Sequence, residues 1–267
     1  MARVFTPERR ARTRTALIEH AQQDPRISGA AVTGSSARGE EDRWSDIDLF
    51  FAVASDAPVE GVLEDWREHL YREFGALHHF DLRGSGAVYR VFLLQDQLEV
   101  DLGFTPADAF GPLGPGPFKV LFGDPVQRRL PQPPTEAHLA GLAMHHVLHA
   151  RVCIERGKLW QAEYWISTLR DQAVELAAAR RGLETAYAKG AHLLPTEFTD
   201  ELQQSLFGEL SPPNLRRALE CVARCLHREM HEQNEHLAGV MESSFRELAG
   251  ANAVSVANPS ASPQPPG

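Results

Sequence analysis

An apolar run, Ile27 to Thr33, opens directly into Gly34-Ser35-Ser36-Ala37-Arg38-Gly39, and a second begins inside Ser45-Asp46-Ile47-Asp48-Leu49. This order constrains the fold more than any other stretch of the chain. It demands a strand, a tight turn that only glycine enters easily, a short helical turn and a second strand. Side chains alternate between the two faces of a strand. Asp46 and Asp48 therefore share a face, roughly 6–7 Å apart along the backbone, while Ile47 and Leu49 point to a core.

Two carboxylates this close repel each other unless a cation lies between them. Mg2+ suits the position, since it takes oxygen ligands, keeps some waters and is completed by phosphates. Gly34 and Ser35 have the complementary chemistry. Gly34 lets a phosphate approach the backbone, and Ser35 or Ser36 is expected to cap the short helix. Free N–H groups at such a start, with a hydroxyl beside them, attract anions. Arg38 offers a fork for phosphate oxygens, or pairs with Glu40 or Asp42. A third acid lies in Leu98-Glu99-Val100-Asp101-Leu102-Gly103-Phe104. Here Leu98, Val100, Leu102 and Phe104 alternate with Glu99, Asp101 and Gly103. If this strand lies beside the first acidic one, Asp101 completes a metal-binding triad, as a further ligand or a general base. Glu99 is the competing base. The plainer reading of all these residues is a surface turn with acids at a strand edge.

The pattern of apolar strand, Gly34-Ser35, short helix, Asp46-x-Asp48 and later Asp101 resembles the nucleotidyltransferase superfamily that includes DNA polymerase β. The resemblance covers the first half of the chain. Its compact layout is most similar to the bacterial aminoglycoside and lincosamide nucleotidyltransferases. It implies Asp46, Asp48 and Asp101 as catalytic metal ligands, with Glu99 in reserve, and Gly34, Ser35 and Arg38 at the nucleotide. It further implies Mg2+ as cofactor, an NTP (ATP by expectation) as co-substrate and an antibiotic-type small molecule with a hydroxyl as acceptor. Two alternatives stand beside it. One is adenylylation of a partner protein, as in toxin–antitoxin systems; the other is a nucleotide-binding sensor without turnover.

The chain has 267 residues, enough for two cores, a formal net charge of -9 and 43% hydrophobic content. Acidity disfavours nucleic acid, whose binding needs a basic surface, and suits a cationic acceptor. The three cysteines, Cys153, Cys221 and Cys225, form no disulfide framework. No membrane-length apolar run or signal segment is present, so a cytoplasmic protein is expected, as monomer or homodimer. Arg3, Arg9, Arg10, Arg12 and Arg14 read as the solvated face of a first helix.

Along the chain, Thr6-Pro7 opens that helix. Strands are expected at Ile27–Thr33, Ile47–Val53, Leu77–Leu82, Val88–Leu94, Leu98–Phe104 and Phe118–Phe122, with a helix at Val59–Phe74. Leu130 to Pro134 reads as a linker. After it come helices from Thr135, from Lys158 to Arg180, from Thr196 to Leu206, and from Ser211 to about Leu248. The expected architecture is α+β: a mixed-sheet nucleotidyltransferase domain at 1–129, a C-terminal helical bundle for substrate at 130–249 and a disordered tail at 250–267. On the second bundle helix Trp160, Glu163, Tyr164 and Arg170 can share a face, suited to an amino sugar or nucleobase, or Trp160 and Tyr164 are simply core. Trp44 poses the same choice between stacking on a base and packing. His145, His146 and His149 read as helix-surface or core residues rather than a metal site.

Overall fold

A computed structural model describes residues 4–128 and 135–243, apart from 113, 115, 237, 240 and 241. The expected linker at 130–134, the tail at 250–267 and the end of the last helix at 244–248 lie outside the described residues. Two compact units divide the chain, residues 1–132 and 133–267.

The first unit begins with α1 (Pro7–Gln23), whose Thr6 hydroxyl accepts a bond from the Arg9 N–H at 3.2 Å with proline in the first turn. Then come β1 (Ile27–Val32), α2 (Gly34–Arg38), β2 (Ile47–Val53), α3 (Val59–Phe74), β3 (Ala76–Gly84), β4 (Ala87–Leu94), β5 (Glu99–Pro106) and β6 (Lys119–Phe122). They form one six-stranded sheet in the order β3-β4-β5-β2-β1-β6. β2 and β5 run parallel, and the other neighbours are antiparallel. The central strand β2 is apolar on both faces except at Asp48, as a strand covered on both sides must be.

Those two faces differ in purpose. On one, Ile47, Leu49, Phe51, Val100, Leu102 and Phe104 join Leu17 of α1 and Trp66 of α3 in the main core. Burial of this face is the main driving force for the unit, at about 25 cal/mol per Å² of apolar surface. The stripe Val62, Leu63, Trp66 and Leu70 supplies the α3 side of it. On the opposite face Ala31, Phe50, Ala52, Ala87 and Phe110 form a smaller cluster against Tyr89 and Phe118. Asp48 and Phe50 alternate on this second face, so the acids stand on it, away from α1 and α3.

The second unit is helical: α4 (Glu136–Glu155), α5 (Leu159–Arg180), α6 (Thr196–Gln203) and α7 (Pro212–Gln233). Its core is built from Val147, Ile166, Leu169, Leu176, Leu219, Val222 and Leu226. Cys153, Cys221 and Cys225 are buried in it as free thiols. α6 ends at Gln203, earlier than the apolar spacing through Leu206 implies. α7 ends at Gln233, where Asn234 leaves helical geometry (φ -151, ψ 89), rather than running on to Leu248. Among the described residues no helix is long and apolar enough to cross a membrane.

Candidate active site

The site starts with one backbone conformation. Gly34 has φ +61, and a Cβ placed on it would collide with Oδ2 of Asp48. The turn after β1 therefore lies directly against the Asp48 carboxylate, a packing no larger residue permits. The Thr33 N–H donates to the Asp48 carbonyl at 3.2 Å, fixing the turn to β2. Neither serine caps α2. The N-cap is Thr33, without a side-chain bond, and Ser35 and Ser36 lie inside the helix. The residue with positive φ, Gly34, enters the helix at once, so the cap position falls two or three residues earlier than the serines imply. Gly39 closes the helix in the left-handed region at φ 74.

The acids come from neighbouring strands. In the parallel β2–β5 pair, Asp48 is the register partner of Asp101, and Ile47 of Val100. Partners in register share a face, so the two carboxylates stand side by side. Asp46 immediately precedes β2, and Glu99 is the first residue of β5. Burial pushes the Asp101 carboxyl up to about 6, helped by the charges of Asp46 and Glu99. Burial and Asp46 also raise Glu99. Asp46, Glu99 and Asp101 thus form one electrostatic group, with Asp48 the register partner of Asp101. Asp101 Oδ1 is buried and has no hydrogen-bond partner. An orphaned anionic oxygen is costly unless something positive meets it, so the donor set fits a hard divalent cation. No three or more His, Cys, Asp or Glu side chains among the described residues form a cage that could hold a metal ion by themselves. A Mg2+ ion at a phosphoryl centre needs no such cage, because phosphate oxygens and waters complete its octahedron.

Helix α1 holds this arrangement together, which its basic composition did not foretell. Arg10 is not solvated but 5% exposed. Its NH1 donates to the carbonyls of Asp42 (2.6 Å) and Ser45 (2.8 Å), and its Nε lies 3.3 Å from Glu41. One turn on, Arg14 NH1 reaches both Ser36 Oγ and Glu41 Oε1, each at 2.6 Å. Arg9 meets Asp96 in the β4–β5 turn at 3.2 Å. The periodicity of α1 showed that these positions lie on a helix. It could not show that a loop turns the carbonyls of Asp42 and Ser45 toward them.

Around the acids, Arg38 pairs with Glu40 at 2.7 Å, one of the two partners open to it from sequence. Trp44 is 68% exposed, with the Arg43 guanidinium 4.5 Å over its ring, so it does not pack into the core. Tyr89 was missed by sequence reasoning. It is the register partner of Gly103, two residues beyond Asp101 on the same face. Its phenol is pushed up to about 12 by burial and by Asp101.

Trp160, Glu163 and Tyr164 belong to the second unit, on α5. Trp160 and Tyr164 are exposed, at 80% and 60%, which excludes the core reading. Glu163 accepts from Ser167 at 2.6 Å, and Arg170 instead turns to Ser205 at 2.8 Å. His145 and His149 lie in ring contact at 4.2 Å, while His146 is buried and bonds Gln172 at 3.1 Å.

Residues 14–104, from Arg14 of α1 to Phe104 of β5, match the family model described as a nucleotidyltransferase domain. No curated protein matches the chain. Solved structures similar to it include an aminoglycoside 6-adenyltransferase from Bacillus subtilis, 12% identical, with a TM-score of 0.41 over 87% of this chain and 95% of that one. The matched segment contains the Gly34 turn, Arg14 and all four acids, and residues 14–104 are thus a nucleotidyltransferase domain.

Proposed function

We propose that this nucleotidyltransferase moves an NMP, with ATP as the expected donor, from an NTP to a hydroxyl of a small, cationic acceptor of aminoglycoside or lincosamide type. The observation that carries the proposal is the in-register pair Asp48–Asp101, with one Asp101 oxygen buried and unpartnered beside Asp46 and Glu99. Asp46, Asp48 and Asp101 would hold Mg2+, which when bound neutralises charge building on the transferred phosphate. Gly34 and Ser35 present backbone and hydroxyl to the outer phosphates. Asp101, or Glu99 beside it, takes the proton from the acceptor hydroxyl as that oxygen bonds to the α-phosphorus and pyrophosphate leaves. Most of the rate then comes from alignment and charge neutralisation. The net charge of -9 supports a cationic acceptor. The exposed Trp160 and Tyr164, with Glu163 between them, are the acceptor contacts we infer on the helical unit.

The test is pyrophosphate release from each of the four NTPs with Mg2+, against a panel of aminoglycosides and lincosamides. Acceptor-dependent release is expected in the native protein and its loss in Asp46→Asn. Nucleotide binding without release on any acceptor would favour a sensor, and release only with a protein acceptor would favour modification of a partner.

A further inference from the structure

Asp46 lies outside regular secondary structure, one residue before β2, so its aim depends on the loop that delivers it. That loop is short and self-bonded. The Asp42 side chain accepts from the Trp44 N–H at 2.8 Å, and the Ser45 hydroxyl accepts from the Asp42 N–H at 2.9 Å. These bonds shape the loop but do not attach it to anything. The attachment is Arg10, whose single NH1 group holds the carbonyls at both ends, Asp42 and Ser45. A guanidinium can do this from a buried position because its donors diverge in a fixed plane, which an ammonium cannot reproduce. Arg14, next on the same face of α1, extends the hold to Ser36 of α2 through Glu41 and the serine hydroxyl. One helix face thus grips both halves of the site: the segment that aims Asp46 and the helix that begins at Gly34.

We propose that Arg10 is a positioning residue for nucleotide transfer, and that with Arg14 it clamps Asp46 and the Gly34–Ser35 turn into one preformed receptor for the metal–triphosphate. This rests on the nucleotidyltransferase reading above. Arg10 touches no reacting atom; it acts through the Ser45 carbonyl on the residue that follows. Groups that orient a ligand from behind commonly contribute 10–100-fold in affinity or activity.

The experiment measures binding of Mn2+ with each of the four α,β-methylene nucleoside triphosphates by calorimetry, on the full chain, well below each variant's melting temperature. Arg10→Ala is expected to weaken binding roughly 10–100-fold, with recovery on adding millimolar guanidinium, which can refill the vacated site. Arg10→Lys should recover less than guanidinium does, and Arg12→Ala, exposed on the same helix, should bind as the native protein does. A merely structural arginine would change the melting temperature without changing affinity in the folded state. Native-like affinity in folded Arg10→Ala, or a loss that guanidinium leaves untouched, overturns the proposal. If Arg10→Ala does not fold, Arg14→Ala carries the same test through Ser36, and native affinity there overturns the clamp. If the native protein binds none of the four Mn2+ nucleotides, the nucleotidyltransferase reading of the site itself fails, a result separable from failure of the clamp.

Discussion

Asp101 should make the metal-free protein less stable as pH rises. Its carboxyl stands at about 6 in the folded chain against an ordinary 3.8. Below pH ~4 it is protonated folded or unfolded and costs nothing. Between ~4 and ~6 the folded state binds more protons than the unfolded one, so stability falls with rising pH. Above ~6 both states are ionised, and the full difference, about 3 kcal/mol, stands against folding. Asp101→Asn removes that charge. In EDTA the variant is therefore expected to match the native chain at pH 4, apart from a constant offset, and to gain on it by about 3 kcal/mol at pH 7.5. Urea titrations read this on the transition of the first unit, where Trp66 is fully buried. Asp46 contributes part of the cost, so Asp46→Asn should recover a fraction of the gain. Mg2+ at pH 7.5 should stabilise the native chain and not the Asp101→Asn variant. A native-to-variant difference that stays flat from pH 4 to 7.5 would refute the picture of an uncompensated buried carboxylate.

Two further outcomes test other parts of the structure. Gly34→Ala should lower stability by roughly 1–2 kcal/mol through its left-handed φ and weaken Mn2+–nucleotide binding at least 100-fold by displacing Asp48, an order of magnitude typical of ångström-scale misplacement; calorimetric affinity equal to the native protein's would show that the turn does not shape the site. In the second unit, Glu229 is 2% exposed and receives Arg180 at 3.0 Å and Arg181 at 3.2 Å. Glu229→Gln should destabilise that unit by about 2 kcal/mol, the usual worth of charge-assisted hydrogen bonds, and urea unfolding within ~0.5 kcal/mol of native would show that the half-exposed arginines satisfy themselves with water.

Much of this protein can be read from local sequence, because local sequence governs the quantities involved. The alternation in Ile47–Val53 and Leu98–Phe104 sets which residues face the core and which face the site. The spacing of Val62, Leu63, Trp66 and Leu70 places α3 on the sheet. Glycine at 34 reports a turn whose backbone few other residues adopt. Arg10, Tyr89 and the true cap at Thr33 were not legible, for a common reason. Each depends on what lies opposite: the loop carbonyls of Asp42 and Ser45 for Arg10, a side-chain-free Gly103 for Tyr89, the Asp48 carboxylate for the turn before α2. Exposure of Trp160 and Tyr164 was equally undecided, since a helical face of aromatics packs or faces water according to its neighbours.

By itself, the chain's order of residues determined that Asp46 and Asp48 would be close, that Glu99 and Asp101 would share a face, and that a glycine turn would precede them. Those facts follow from geometry within a few residues. Only the tertiary structure decided that Asp101, rather than Glu99, stands beside Asp48. That choice is a hydrogen-bond register between parallel strands separated in sequence by α3, β3 and β4. A shift of one residue would turn every side chain of β5 to the other face. Burial of both cores, not any local preference, holds the register where the acids meet.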